Sequence, residues 1–135
     1  MIFHRPLFLF IFLIVFSIVL PSIVAAETIT VTKALNNKEI KVRVGATIRL
    51  QLEELGAAGY SWKVKNLDGD CFDLLKIENA ASPEADDITG APVTKTWLFR
   101  AKKAGRSDLR LLHYRPWEGE ESASETFVLM VRIIS

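Results

Sequence analysis

Few residues of this 135-residue chain could carry covalent chemistry. It holds one cysteine, Cys71, and two histidines, His4 and His113. His4 precedes an apolar leader, so His113 is the sole imidazole of the remainder; no histidine cluster can bind zinc, and Cys71 has no CxxC partner. A nucleophilic site would have to join Cys71 or a serine to His113 and an acid. No serine stands in the glycine-flanked elbow that presents such a nucleophile. The carboxylates of Asp86 and Asp87, and of Glu118, Glu120 and Glu121, fall in polar connections, which predicts a solvated face and not a general acid. Glycine-rich phosphate loops are missing. The expectation is a protein that is no enzyme, with no catalytic residues, no metal and no cofactor.

Residues suited to gripping another macromolecule are better represented, and they gather in three connections: Leu55-Gly56-Ala57-Ala58-Gly59-Tyr60-Ser61-Trp62, Thr89-Gly90-Ala91-Pro92, and Tyr114-Arg115-Pro116-Trp117-Glu118-Gly119. Small residues let a partner approach the backbone closely. Trp117 sits among Arg115, Pro116, Glu118 and Gly119, a polar setting that predicts an exposed ring, and Trp with Arg is the pairing most enriched at binding hot spots. Pro116 stiffens the tip and lowers the entropy lost when the loop docks. Trp62 and Trp97 read differently. Each alternates with apolar neighbours in an extended run, so both are predicted core.

The elements that must position these connections show period-two alternation. Strands are predicted at Thr28–Thr32, Glu39–Val44, Ala46–Glu53, Tyr60–Lys65, Phe72–Glu78, Val93–Ala101, Ser107–Tyr114 and Glu125–Ile134. Breaks fall at Asn36-Asn37, Gly45, Gly56, Asp68-Gly69, Pro83, Gly90, Gly105 and Pro116. Ile40, Val42 and Val44 face one way while Lys41 and Arg43 face the other; Ile48, Leu50 and Leu52 alternate with Arg49, Gln51 and Glu53; Phe127, Leu129, Val131 and Ile133 form a further core row. Asp73–Asn79 could alternatively form a helical turn. Short strands at this spacing predict an all-β sandwich or barrel. In a sandwich of seven to eight strands alternate connections gather at one end, so the three connections can converge.

The start of the chain is of another kind. Half of all residues are hydrophobic, a figure inflated by the charge-free run from Pro6 to Ala26. Its apolar core, Leu7–Leu20, is 14 residues long, short of the ~20 that span a bilayer. Arg5 ahead of it, Pro21 behind it and the small residues near Val24-Ala25-Ala26 fit a signal peptide at 1–26 cleaved after Ala26, although the 21 residues from Pro6 could just serve as a retained anchor. Export to the periplasm or the exterior is therefore expected, with one domain at 27–135 and no membrane association once the leader is removed. The formal charge of +1 belongs to Arg5, so residues 27–135 are formally neutral and offer no electrostatic case for nucleic acid. Arg100, Lys102, Lys103 and Arg106 read as a solvated turn. A lone Cys71 cannot close a disulfide within the chain. Next to Phe72, Leu74 and Leu75 it is predicted to be a buried small hydrophobe.

These residues together resemble the chagasin family of cysteine-peptidase inhibitors, over nearly all of Glu27–Ser135. Val31-Thr32-Lys33-Ala34 leads into Lys41-Val42-Arg43-Val44-Gly45 and then Ile48–Leu52. The family's first loop ends in glycine, an aromatic, any residue and tryptophan, matched by Gly59, Tyr60 and Trp62; its third loop is Arg-Pro-aromatic, matched by Arg115-Pro116-Trp117. The middle glycine-rich loop is half present as Gly90-Ala91-Pro92-Val93. Where the family has asparagine, proline and two threonines, this chain has Leu55, Gly56, Ala57 and Ala58.

The resemblance implies an immunoglobulin-like β-sandwich, likewise a monomer, that blocks papain-like cysteine proteases reversibly and competitively. It implies a three-loop wedge: Ala57, Ala58, Gly59 and Tyr60 entering the active-site cleft, Gly90, Ala91 and Pro92 bracing one side, and Arg115 and Trp117 the other, with Gly56 and Pro116 also contacting the protease. Two other readings compete. One is an extracytoplasmic binding module whose altered loops have drifted to a non-protease partner. The other is a hydrolase using Cys71 or His113.

Overall fold

The computed structural model describes residues 18–20, 26–54, 58–81 and 92–135. The predicted leader up to Ala25 (Ile18 to Leu20 apart), Gly56 and Ala57 of the first connection, and Gly90 and Ala91 of the middle one lie outside the described residues.

Eight strands form: β1 Thr28–Val31, β2 Lys38–Arg43, β3 Thr47–Glu54, β4 Ser61–Lys65, β5 Phe72–Ala81, β6 Val93–Ala101, β7 Gly105–Tyr114 and β8 Glu125–Ile134. They build two four-stranded sheets, ordered β1-β3-β6-β5 and β2-β8-β7-β4. Each sheet carries one edge strand in parallel, β1 on β3 and β2 on β8, because the first extended run divides between the layers. The 3-10 turn Lys33–Leu35 makes the crossing. Asn36 and Asn37 then lock it to β8: the Asn36 side chain accepts the Val128 N–H at 2.9 Å, and Asn37, at φ 62°, donates its N–H to the Val128 carbonyl at 2.7 Å. Asparagine tolerates that left-handed backbone better than most residues.

The alternating rows meet between the sheets. Ile48, Leu50 and Leu52 of β3, Trp97, Phe99 and Ala101 of β6, Leu109 and Leu111 of β7 and the four predicted residues of β8 are all buried, with Trp62 among them. Burial of this kind is the main favourable term, at about 25 cal/mol per Å² of apolar surface. One local expectation fails: Val44 is 44% exposed because the chain leaves β2 after Arg43 and turns at Gly45, φ +90°. The strand expected at Phe72–Glu78 forms, which excludes the alternative helical turn at Asp73–Asn79, and a bulge between Leu74 and Lys76 breaks its alternation. An extra residue flips the faces that follow it, and on this edge strand Leu74, Leu75 and Ile77 remain exposed.

Candidate functional site

β3, β5 and β7 run toward one end of the sandwich, and β4, β6 and β8 leave from it, so the strand ends that flank the connections 55–60, 82–92 and 115–124 meet there. The first and third are interlocked. Gly59 lies at φ +76°, and a Cβ placed there would stand 2.1 Å from Cη2 of Trp117. The indole therefore rests on the space that glycine leaves empty, while the residue as a whole stays 71% exposed. Arg115 supplies the second tie. Its Nε donates to the Ala58 carbonyl at 2.8 Å, its guanidinium lies 4.5 Å from the Tyr60 ring centroid, and Nη1 pairs with Glu118 at 3.1 Å.

Below the surface the contacts continue as a ladder. Tyr60 stacks on His113 with centroids 5.3 Å apart, and His113 meets Trp62 at 4.9 Å. Arg115, Tyr60, His113 and Trp62 thus connect an exposed loop to a residue only 3% exposed. Arg over an aromatic face contributes ~0.5–2 kcal/mol depending on desolvation.

The feet of the loops are joined by polar groups. Glu54, the last residue of β3, accepts the Trp62 N–H at 3.0 Å and lies 3.3 Å from the Ser61 hydroxyl, both at the start of β4. The Trp62 indole Nε1–H donates to the Glu53 carbonyl at 3.1 Å. From β6, Lys95 crosses the sandwich to donate to the Trp62 carbonyl at 3.2 Å and to Ser61 Oγ at 3.4 Å. Burial holds the Lys95 ammonium below its ordinary pKa, opposed by nearby Glu54 and aided by Lys63. Pro92, at the foot of the middle connection, shares a cleft of about 590 Å³ with Glu54, Trp62 and His113.

The described site residues thus come together: Ala58, Gly59, Tyr60, Arg115 and Trp117 in direct contact or through one neighbour, and Pro116 between the last two on an exposed tip. Trp62 and Trp97 are core, as predicted. Sequence reasoning missed Lys95, Glu54 and the stacked His113. Lys95 occupies the row Lys95, Trp97, Phe99, Ala101, whose other members face the core, but in the sequence its charge reads as a break in that row. Arg115, expected to brace the partner, commits two of its three guanidinium nitrogens to Ala58 and Glu118 within the protein.

The arrangement does not build a nucleophile. Cys71 is buried and lies at the opposite end, where its carbonyl accepts the Lys102 N–H. Burial first, then hydrogen bonding and charge from Asp68, pushes its thiol pKa up, which favours the unreactive form. His113 Nδ1 lies 2.8 Å from Ser124 Oγ, but that hydroxyl donates to the His113 carbonyl at 3.2 Å. Nε2 is buried without a hydrogen-bond partner among the described residues, so no acid orients the ring. Among those residues no group of His, Cys, Asp and Glu is placed to hold a metal.

Comparison with known proteins agrees with this architecture. Residues 41–131 match the model of the chagasin family of peptidase inhibitors, I42. Chagasin of Trypanosoma cruzi is 28% identical over 104 residues, covering 76% of this chain and 94% of its own. Among solved structures, the cysteine protease inhibitor EhICP2 from Entamoeba histolytica superposes with a TM-score of 0.73 at 21% identity, over 81% of this chain and 97% of that one. PbICP-C, solved in complex with falcipain-2, gives a TM-score of 0.57 at 15% identity, over 82% of this chain and 93% of its own.

Proposed function

The chain belongs to the chagasin family of peptidase inhibitors, and from that premise we propose that it inhibits papain-like cysteine proteases reversibly and competitively with the loop end of the sandwich. The observation that carries this reading is the interlock of the first and third loops: Trp117 is 71% exposed, seated over Gly59, with Arg115 bonded to Ala58 beside it. An exposed indole held in place before any partner arrives loses little freedom on docking. Ala58 and Gly59 would approach the catalytic thiol by main chain, Tyr60 fixes their direction from below, and Pro116 stiffens the tip that presents Trp117. Gly56, Ala57, Gly90, Ala91 and Pro92 would complete the contact. Three loops can supply the roughly 800 Å² per partner of a standard interface. No bond of the inhibitor is offered as a substrate, so inhibition is stoichiometric and the released inhibitor is intact. The neighbour PbICP-C was solved on falcipain-2, which supports the choice of target.

The test is to titrate residues 27–135 against papain-like proteases and follow residual activity. Substrate-competitive inhibition is expected; none at micromolar inhibitor refutes the reading for those enzymes. Trp117→Ala should weaken binding by about 2 kcal/mol or more, and unchanged affinity removes Trp117 from the interface. The leader at 1–26 would direct the inhibitor out of the cytoplasm, to the periplasm or the exterior, as a monomer. N-terminal sequencing of the exported protein should begin at Glu27, and retention of the leader would overturn that assignment.

A further inference from the structure

Among the described residues, Lys95 is the one cation that faces the core row of β6, 8% exposed between Trp97 and the loop end. A buried lysine is costly unless hydrogen bonds and an opposite charge offset its desolvation, and this one makes no side-chain hydrogen bond to its cross-strand partners. Its cross-strand partners are Leu52 and Asn79. It reaches instead across the sandwich to the Trp62 carbonyl and Ser61 hydroxyl, at 3.2 and 3.4 Å, with Glu54 facing it from the end of β3. Its ring contact is Trp97, 5.4 Å away.

What these contacts join is informative. Glu54 is the residue before the first loop, and Ser61 and Trp62 begin the strand after it; Glu54 already binds the Trp62 N–H and lies beside the Ser61 hydroxyl. Lys95 follows Pro92 by three positions, at the foot of the middle loop. A single ammonium therefore ties the closing foot of the first loop, in one sheet, to the foot of the second loop, in the other. Resting on the reading above, we propose that Lys95 is a positioning residue for inhibition: with Glu54 and Ser61 it forms a polar clamp that holds Ser61 and Trp62, the closing foot of the first loop, at a fixed distance from the start of β6 before the protease is met.

This separates stability from affinity. Lys95→Met removes a costly buried ammonium but leaves the Trp62 carbonyl and Ser61 hydroxyl without this donor, two opposed effects on stability, so the melting temperature should shift by only a few degrees while the inhibition constant rises about tenfold or more. Lys95→Arg, which keeps charge and donors, should recover part of that loss. Glu54→Gln keeps the shape and an acceptor oxygen but removes the facing charge; it should act in the same direction to a smaller extent, so the test does not depend on one variant folding. A wild-type inhibition constant in both Lys95→Met and Glu54→Gln overturns the clamp. Hydrogen exchange of the free inhibitor provides a readout independent of any protease. Lys95→Met should speed exchange of the Tyr60, Ser61 and Trp62 amides tenfold or more relative to Leu111 in the core, and unchanged ratios overturn the proposal. If the wild type inhibits no papain-like protease, the functional reading fails, and the exchange ratios still decide the clamp.

Discussion

Gly59→Ala is the change that most directly probes the interlock at the loop end. Two costs arise. At φ +76° a residue with a Cβ is strained, by about 1–2 kcal/mol. The new methyl would also stand 2.1 Å from Cη2 of Trp117 and 3.0 Å from Cζ2 and Cζ3, so the indole must retreat by roughly 1.5–2 Å to reach ordinary carbon contact. Because Trp117 is 71% exposed, it can swing outward without disturbing the core, and the loss of folding stability should stay near the backbone figure of about 1–2 kcal/mol. Binding should suffer more, since the displaced ring is the proposed anchor: on the order of 2–4 kcal/mol, or about 30- to 1,000-fold in Kd. Both quantities are measurable, by urea unfolding and by inhibition titration. The decisive step is a double-mutant cycle with Trp117→Ala. In that background the steric conflict is gone, so Gly59→Ala should cost little further affinity, giving a coupling of at least about 1 kcal/mol. Additive losses, or near-native inhibition by Gly59→Ala alone, would refute the interlock.

Three further outcomes follow from the same contacts. Trp62→Ala removes a buried ring and the indole bond to Glu53, and should lower unfolding free energy by about 3–5 kcal/mol; a loss near 1 kcal/mol in urea titration would mean the ring is not a core residue. Arg115→Lys keeps the charge but not the planar fork that bonds Ala58 and covers Tyr60, so inhibition should weaken about tenfold with little change in Tm, and equal potency would show that charge alone suffices. Cys71 should resist iodoacetamide in the native state near pH ~8, because burial and Asp68 keep its thiol protonated to higher pH than in the unfolded chain. With the folded pKa raised, the thiol's contribution to stability is intact below the unfolded pKa and is lost as pH rises above it, where the unfolded chain releases a proton that the native state still holds. Cys71→Ala should remove that slope while retaining full inhibition, and rapid labelling of the native protein would contradict the burial.

The strands were legible where one face is buried and the other wet. Ile48, Leu50 and Leu52, or Phe127 to Ile133, can take only one register, since a slip of one residue would bury Arg49 and Gln51 or Arg132. Legibility failed where that rule is suspended. β5 is an edge strand with a bulge, so Leu74, Leu75 and Ile77 do not alternate, and Val44 looked like core only because the turn at Gly45 does not show in the hydrophobic pattern. At the site, residue types pointed to the right loops. Their mutual contacts were invisible, because Arg115 and Ala58 are far apart in sequence and meet only through the pairing of β4 with β7. Lys95 was hidden for a different reason: a charged residue in an inward row reads as an interruption of the pattern until its partner on the facing sheet is known.

That hidden residue bears on how a small domain without a disulfide can present stiff loops. Small domains with a limited core often fix their loops by cross-linking, and the single cysteine here is buried at the far end, where it can tie nothing. The loop end uses three other kinds of tie: an indole seated on a glycine, a guanidinium shared between a carbonyl and a ring, and an ammonium spanning the sheets. Each is weak beside a covalent bond, about 0.5–3 kcal/mol for a charge-assisted contact. They need not hold the fold, which the core rows do. Their task is to restrict loop arrangements, and each immobilised side chain spares the complex roughly 0.5–1.5 kcal/mol of ordering on docking. Stability and affinity should therefore be separable at this end of the molecule: substitutions at Lys95, Arg115 and Gly59 move inhibition more than unfolding, whereas Trp62, which belongs to both the ladder and the core, moves both.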